Sequence, residues 1–180
     1  MSTQATTKWA IDAAHSEIGF KVKHLMITNV AGKFDKFDGS VESDGEDFSN
    51  AKISFTAEIA SVNTGQPQRD GHLQSPDFFD AAQFPQLKFA STGFAKASDD
   101  KYVLTGDLTI RNVTKSVKLD VEFSGIAKDP RNNTKAGFSA TGKINRTDFG
   151  LTFNAPLETG GVVLGEEVKL NIEAQLLKQA

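Results

Sequence analysis

Arg69, Asp70 and His72 stand within four positions of one another at the head of the stretch RDGHLQSPDFFDAAQFP, residues 69–85. A guanidinium, a carboxylate and an imidazole this close could move protons or hold a carboxylate or phosphate in the arginine fork. The same stretch then supplies Phe78, Phe79 and Phe84, which bring apolar surface and no polar handle. Two readings stand. In the bland one Arg69 and Asp70 form an ion pair that pins local structure, worth ~0–1 kcal/mol when exposed. In the functional one Arg69 and His72, joined by His24, form a polar mouth that faces the head of a ligand.

The remaining residues with chemical potential give less. The three histidines, His15, His24 and His72, are far apart with no neighbouring cysteine, so their spacing does not suggest a metal site. No serine sits in a nucleophile elbow. Asp148-Phe149-Gly150 matches one kinase signature, but the glycine-rich loop and catalytic loop that should accompany it are missing. GGVVLG, residues 160–165, leads into a strand pattern rather than a helix, so it is no phosphate cradle. No catalytic residue, resident cofactor or metal is expected. The alternative from a different class is a small hydrolase or metal-dependent enzyme using His24, Asp70 and His72.

Composition narrows the class further. A net charge of −3 and scattered lysines give no footprint for nucleic acid. Cysteine is absent, which excludes disulfides and thiol chemistry. Phenylalanine occurs 14 times against one tyrosine and one tryptophan. Such a bias builds a very apolar interior or lines a cavity for an apolar guest. The opening MSTQATTKWAIDAA has no apolar run behind a basic start, so a cytoplasmic location is expected. The sequons at Asn112, Asn132 and Asn145 then carry no meaning, and no stretch is apolar enough to span a bilayer.

The elements that must position these groups are strands. Alternation of period two runs through SEIGFKVKHL, residues 30–41, AKISFTAEIASV, residues 87–95, YVLTGDLTIRN, VKLDVEF, AGFSATGKI and VKLNIEAQL. About eight strands, several of about ten residues, predict an all-β, extended, antiparallel eight-stranded barrel. Residues 1–8 are expected to be a flexible tail and 9–180 a single domain. Between Phe34 and Phe37 the alternation slips by one, the mark of a bulge that re-aims the strand. Turns are expected at Asp99-Asp100, over residues 129–135 and at Thr159-Gly160-Gly161. Ser75-Pro76-Asp77 reads as a helix start, so a short helical segment should cap one end of the barrel.

Large and small residues alternate on the inward faces: Phe55 with Ala57, Phe138 with Ala140 and Gly142, Leu104 with Gly106. Either the barrel tapers around its own side chains or a tunnel is left open. A tunnel would matter energetically: ~15 buried methylenes at ~0.8 kcal/mol each give roughly 12 kcal/mol before association costs.

Taken together, WAIDAAHSEIGFKVKHL, VAGKFDKFDG, RDGHLQSPDFFDAAQFPQLKFAS, LTGDLTIRNVTKSVKLDVEFSG, INRTDFGL and GGVVLGEEVKLNIE resemble the YceI family of lipocalin-like bacterial polyisoprenoid-binding proteins. The resemblance runs from Trp9 to Leu177. It implies a lipocalin-like barrel that holds a long-chain lipid such as a polyisoprenoid, an isoprenoid quinone or a fatty-acyl chain, without catalysis. It also implies dimers, and many members are secreted to the periplasm. On this reading Phe20, Val22, Phe55, Phe78, Phe79, Phe89, Leu104, Phe123 and Phe138 line or close the tunnel, with His24, Arg69 and His72 at its mouth. The apolar run Leu25-Met26-Ile27 is then a portal or a dimer contact.

Overall fold

Among residues 6–25, 27–154 and 164–179, which the computed structural model describes, the chain forms eleven strands, one short α-helix and three 3-10 turns. In chain order the strands are β1 (Thr6–Ile11), β2 (Glu17–His24), β3 (Thr28–Phe34), β4 (Phe37–Asp44), β5 (Asp47–Glu58), β6 (Val62–Asn63), β7 (Gln86–Ser98), β8 (Lys101–Ile110), β9 (Val113–Lys128), β10 (Thr134–Asn145) and β11 (Leu164–Lys178). The helix, α1 (Pro67–Leu73), lies between β6 and β7. Neighbouring strands pair antiparallel in the order β1-β4-β5-β7-β8-β9-β10-β11, and β1 returns to β11 to close the ring. This is the eight-stranded barrel that the alternation predicts.

The other three strands extend this ring rather than adding to it. β1 and β2 both run along β11, so together they form one bent stave. β3 and β4 form a second, and β5 and β6 a third, since β4 pairs with β5 while β3 pairs with β6. The bends fall at adjacent places in three neighbouring staves: the 3-10 turn Ala13–His15, residues Asp35 and Lys36, and the 3-10 turn Ile59–Ser61. Main-chain bonds from the Asp35 amide to the Ser61 carbonyl (3.1 Å) and from the Glu58 amide to the Lys36 carbonyl (2.9 Å) carry the sheet across this line. The slip in alternation between Phe34 and Phe37 is therefore a strand break. It lets both phenylalanines serve the interior, Phe34 being buried and Phe37 packed beside the same cluster.

Two expectations need correction. β1 begins at Thr6, so Thr6–Lys8 belong to the barrel wall and not to a tail. The helix is Pro67–Leu73, with Pro67 at its first turn, and not a segment opening at Ser75. Ser75 does accept the Asp77 amide (3.3 Å) in the manner of a cap, but Asp80 adopts a left-handed conformation (φ 53°) that turns the chain before a helix can propagate. Turns do fall at Asp99-Asp100 and across residues 129–133, where the Asp129 carboxylate accepts the Arg131 and Asn133 amides. The turn expected at Thr159-Gly160-Gly161 lies outside the described residues.

Candidate ligand cavity and its cap

The inward faces of the staves enclose a cavity of about 200 Å³. Its walls come from nearly every strand: Ile18 and Phe20 on β2, Ile53 and Phe55 on β5, Phe89 and Phe94 on β7, Leu104 and Leu108 on β8, Val117 and Leu119 on β9, Phe138 and Ala140 on β10, and Leu170 and Ile172 on β11. Among the described residues its lining is apolar; Ser40 and Ser54 border it through their backbone, while their hydroxyls bond each other (2.9 Å) on the exposed outer face. An engineered apolar cavity of ~150 Å³ stays dry and accepts benzene, so a hollow of this size and lining favours an apolar guest over water.

Of the nine residues expected along the tunnel, Phe20, Phe55, Phe89, Leu104 and Phe138 line this cavity, and Val22, Phe78, Phe79 and Phe123 do not. Phe123 stacks on Phe138 (centroids 5.0 Å, 29°) and also meets Phe48. With Trp9 against Phe48 and Phe94 on Tyr102, these rings make an aromatic plug at the end of the barrel remote from α1. The phenylalanine bias thus serves two ends: some rings seal, others line.

The cap closes the opposite end. Phe78 is buried with Leu108, Ile110, Phe149 and Leu151, while Phe79 packs between that cluster and the one built on Phe34, Ile59 and Val62. Phe79 and Phe34 meet edge-on at 6.0 Å. Val22, half-buried on β2, pairs with Val30 and Val168 near this end.

The small residues divide as well. A Cβ at Gly106 would overlap the Phe89 ring and stand 2.7 Å from the Ala90 carbonyl, and one at Gly142 would overlap the Leu119 side chain. There the barrel fills itself. Ala140, in contrast, faces the cavity.

The polar groups of the opening stretch are engaged locally. The Asp70 carboxylate accepts the Thr64 amide (2.9 Å) and hydroxyl (2.5 Å), and Arg69 donates through Nε to Thr64 Oγ1 and through Nη2 to the Thr64 carbonyl, both at 2.8 Å. Arg69 and Asp70 do pin the cap, but through Thr64 rather than through each other. His72 Nε2 is 2.9 Å from Asp77 Oδ2, and the ring lies edge-on to Phe78 and Phe153. His24 ends β2, opposite Thr28 and Leu164. His24, Arg69 and His72 are all absent from the cavity lining. Among the described residues no three His, Cys, Asp or Glu side chains converge as metal ligands would.

Sequence reasoning missed Arg146. It is buried at 4% exposure, and its guanidinium donates to the carbonyls of Gly165 (2.8 Å), Phe153 (3.0 Å) and Leu151. Burial pulls its pKa below the ordinary value, and Glu166 opposes that shift. The signal was an arginine inside a turn motif: Asn145 Oδ1 caps the Thr147 amide and Gly150 ends the turn at φ 80°. Arg146 holds the chain beside the cap, where Phe153 meets His72.

The YceI-like domain profile matches residues 9–176. The chain belongs to the YceI family. Among relatives of the YceI-family protein, the UPF0312 protein of Staphylococcus aureus strain MSSA476 is 43% identical over 170 residues, covering 94% of this chain and 96% of its own. A Campylobacter jejuni YceI protein superposes with a TM-score of 0.76 at 36% identity, over 100% of both chains. BcnA of Burkholderia cenocepacia superposes at 0.78 with 25% identity, over 92% of this chain and 98% of its own. A polyisoprenoid binding domain from Saccharophagus degradans shares the fold, at a TM-score of 0.73 and 15% identity, over 95% of this chain and 98% of its own.

Proposed function

We propose that this YceI-family protein is a non-catalytic carrier that holds the chain of an apolar lipid inside its barrel. One observation carries the reading: a cavity of about 200 Å³ whose lining, among the described residues, is apolar. No water-soluble metabolite gains from such a lining, whereas each methylene moved into it contributes ~0.8 kcal/mol. The polyisoprenoid binding by the S. degradans domain, carried on the same fold, supports the lipid class. The cavity falls below the ~300–1,000 Å³ usual for drug-sized ligands, so it suits a slender segment of a prenyl or acyl chain.

Among the described residues His24, Asp70 and His72, which the hydrolase alternative would use, lie outside the cavity lining, and Asp70 and His72 are bonded to Thr64 and Asp77. Native mass spectrometry of freshly purified protein, followed by organic extraction, tests the carrier reading. A bound species of lipid mass, released by solvent, is expected. Protein that arrives empty and takes up neither prenyl nor acyl probes would refute it.

A further inference from the structure

The barrel wall is not continuous. β5 and β7 are paired only from Ser54↔Ala90 to Glu58↔Gln86. Both strands run on, β5 back to Asp47 and β7 forward to Ser98, and each keeps its partner on the other side, β4 and β8. The next rungs would join Ile53 to Ser91 and Lys52 to Thr92, but the ladder stops. Instead Ser91 Oγ accepts the Ile53 amide at 2.8 Å, and β7 bulges between Ser91 and Gly93. Where a closed barrel has no free edge, this one has two facing each other.

Between them lies a cleft of about 500 Å³. Its rim is polar, with Glu42, Asn50, Lys52 and Thr92, while Ser40, Ile53, Ser54 and Phe94 line both the cleft and the central cavity. The seam is thus where the apolar hollow meets polar groups. None of Glu42, Asn50, Lys52 and Thr92 makes a side-chain hydrogen bond or ion pair among the described residues. At the cap, by contrast, Arg69, Asp70 and His72 are already bonded to Thr64 and Asp77.

We infer that the β5–β7 seam receives the polar head of the ligand whose chain fills the cavity; this rests on the carrier reading. A head group buried in the cavity would lose its hydrogen bonds to water without replacement. At the seam it finds hydroxyl, amide and unpaired main-chain partners within reach of the same hollow. The rim carries one carboxylate and one ammonium and so has no net charge. It therefore suits an uncharged head bearing hydroxyl or carbonyl groups and, with Glu42 opposite Lys52, gives an anionic one no net attraction. The ligand class is a long-chain alcohol or a neutral ester of a polyol, not a free carboxylate or phosphate.

The chain has no cysteine, so Thr92→Cys introduces a single thiol that can be blocked after folding with a bulky maleimide. Binding of monooleoylglycerol and of the headless dye diphenylhexatriene is measured before and after blocking. The seam predicts at least a tenfold loss of monooleoylglycerol affinity, with dye binding changed less than twofold and the melting temperature retained. Equal loss of both probes, or loss of neither, would overturn it. Oleate should bind the unmodified protein more weakly than monooleoylglycerol and recover severalfold in Glu42→Gln; tighter oleate binding at the outset would overturn the neutral class. Failure of the dye to bind unmodified protein would instead bring down the carrier reading, and the seam assignment with it.

Discussion

Phe79 meets Phe34 edge to face, ring centroids 6.0 Å apart and planes at 72°, and this contact joins the cap to the bent stave below it. Phe79 remains half-buried while Phe34 is 5% exposed, so Phe79 is the movable side of the pair. Truncating it removes a door rather than a wall. Phe79→Ala should raise the release rate of a bound lipid at least tenfold while costing about 1–3 kcal/mol of fold stability, less than a fully buried phenylalanine. Stopped-flow release and urea unfolding check the two numbers. Unchanged release with the same loss of stability would make Phe79 ordinary core.

Filling the hollow should separate binding from folding in the opposite sense. Ala140 lines the cavity between Val121 and Ile172 on the neighbouring strands. Ala140→Phe places a ring where the guest's chain would run. Lipid affinity should fall at least tenfold, with a stability change within about 1–3 kcal/mol of either sign, because the space exists but the fit is not tuned. Titration calorimetry beside thermal unfolding tests it.

Gly106 has no such space. Its missing side chain leaves room for the Phe89 ring, and the Ala90 carbonyl stands 2.7 Å from where a Cβ would lie. Gly106→Ala should destabilise the fold by about 1–3 kcal/mol through overpacking. Phe89→Leu in the same chain should return part of that loss. Additive losses in the double variant, measured by urea unfolding, would show that the ring is not the obstacle.

At the barrel end far from the cap, Asp12 Oδ2 lies 2.9 Å from both Lys135 Nζ and His15 Nδ1. Hydrogen bonds from Lys135 first, then His15, hold its carboxyl below the ordinary range against the opposing effect of burial. A folded pKa below the unfolded value of ~3.9 means the stabilisation is present above that pH and lost as pH falls through the folded pKa. Stability should therefore decline more steeply below about pH 4 in the native protein than in Asp12→Asn. Parallel slopes in urea unfolding across that window would remove Asp12 from the account.

How much of this was written in the sequence depends on the range of the contact. The inward set Ile53, Phe55 and Ala57 follows from period-two alternation alone, and the slip from Phe34 to Phe37, read as a bulge, locates what is a break between β3 and β4. The helix was misplaced because Ser75-Pro76-Asp77 carries a helix-start signal that the left-handed Asp80 overrides. Lining residues that were missed, such as Phe48 and Phe94, stand at the same level as expected ones, Phe94 opposite Leu104 and Phe48 against Phe123 and Phe138; alternation marks the inward face but not which inward side chains border the hollow. Arg69 and His72 looked like part of a mouth, and Asp70 like the ion-pair partner of Arg69, because their actual partners, Thr64 and Asp77, carry no distinctive signal. The seam was illegible for a stronger reason: it is a pairing that fails to occur between residues 38 positions apart, Ile53 and Ser91.

The central claim is that burial of an apolar chain drives binding, and a series of straight-chain alcohols of increasing length tests it most directly. Each added methylene should tighten binding about fourfold, the equivalent of ~0.8 kcal/mol, until the hollow is full and the gain stops. Affinity that stays flat from the shortest member to the longest would contradict the account.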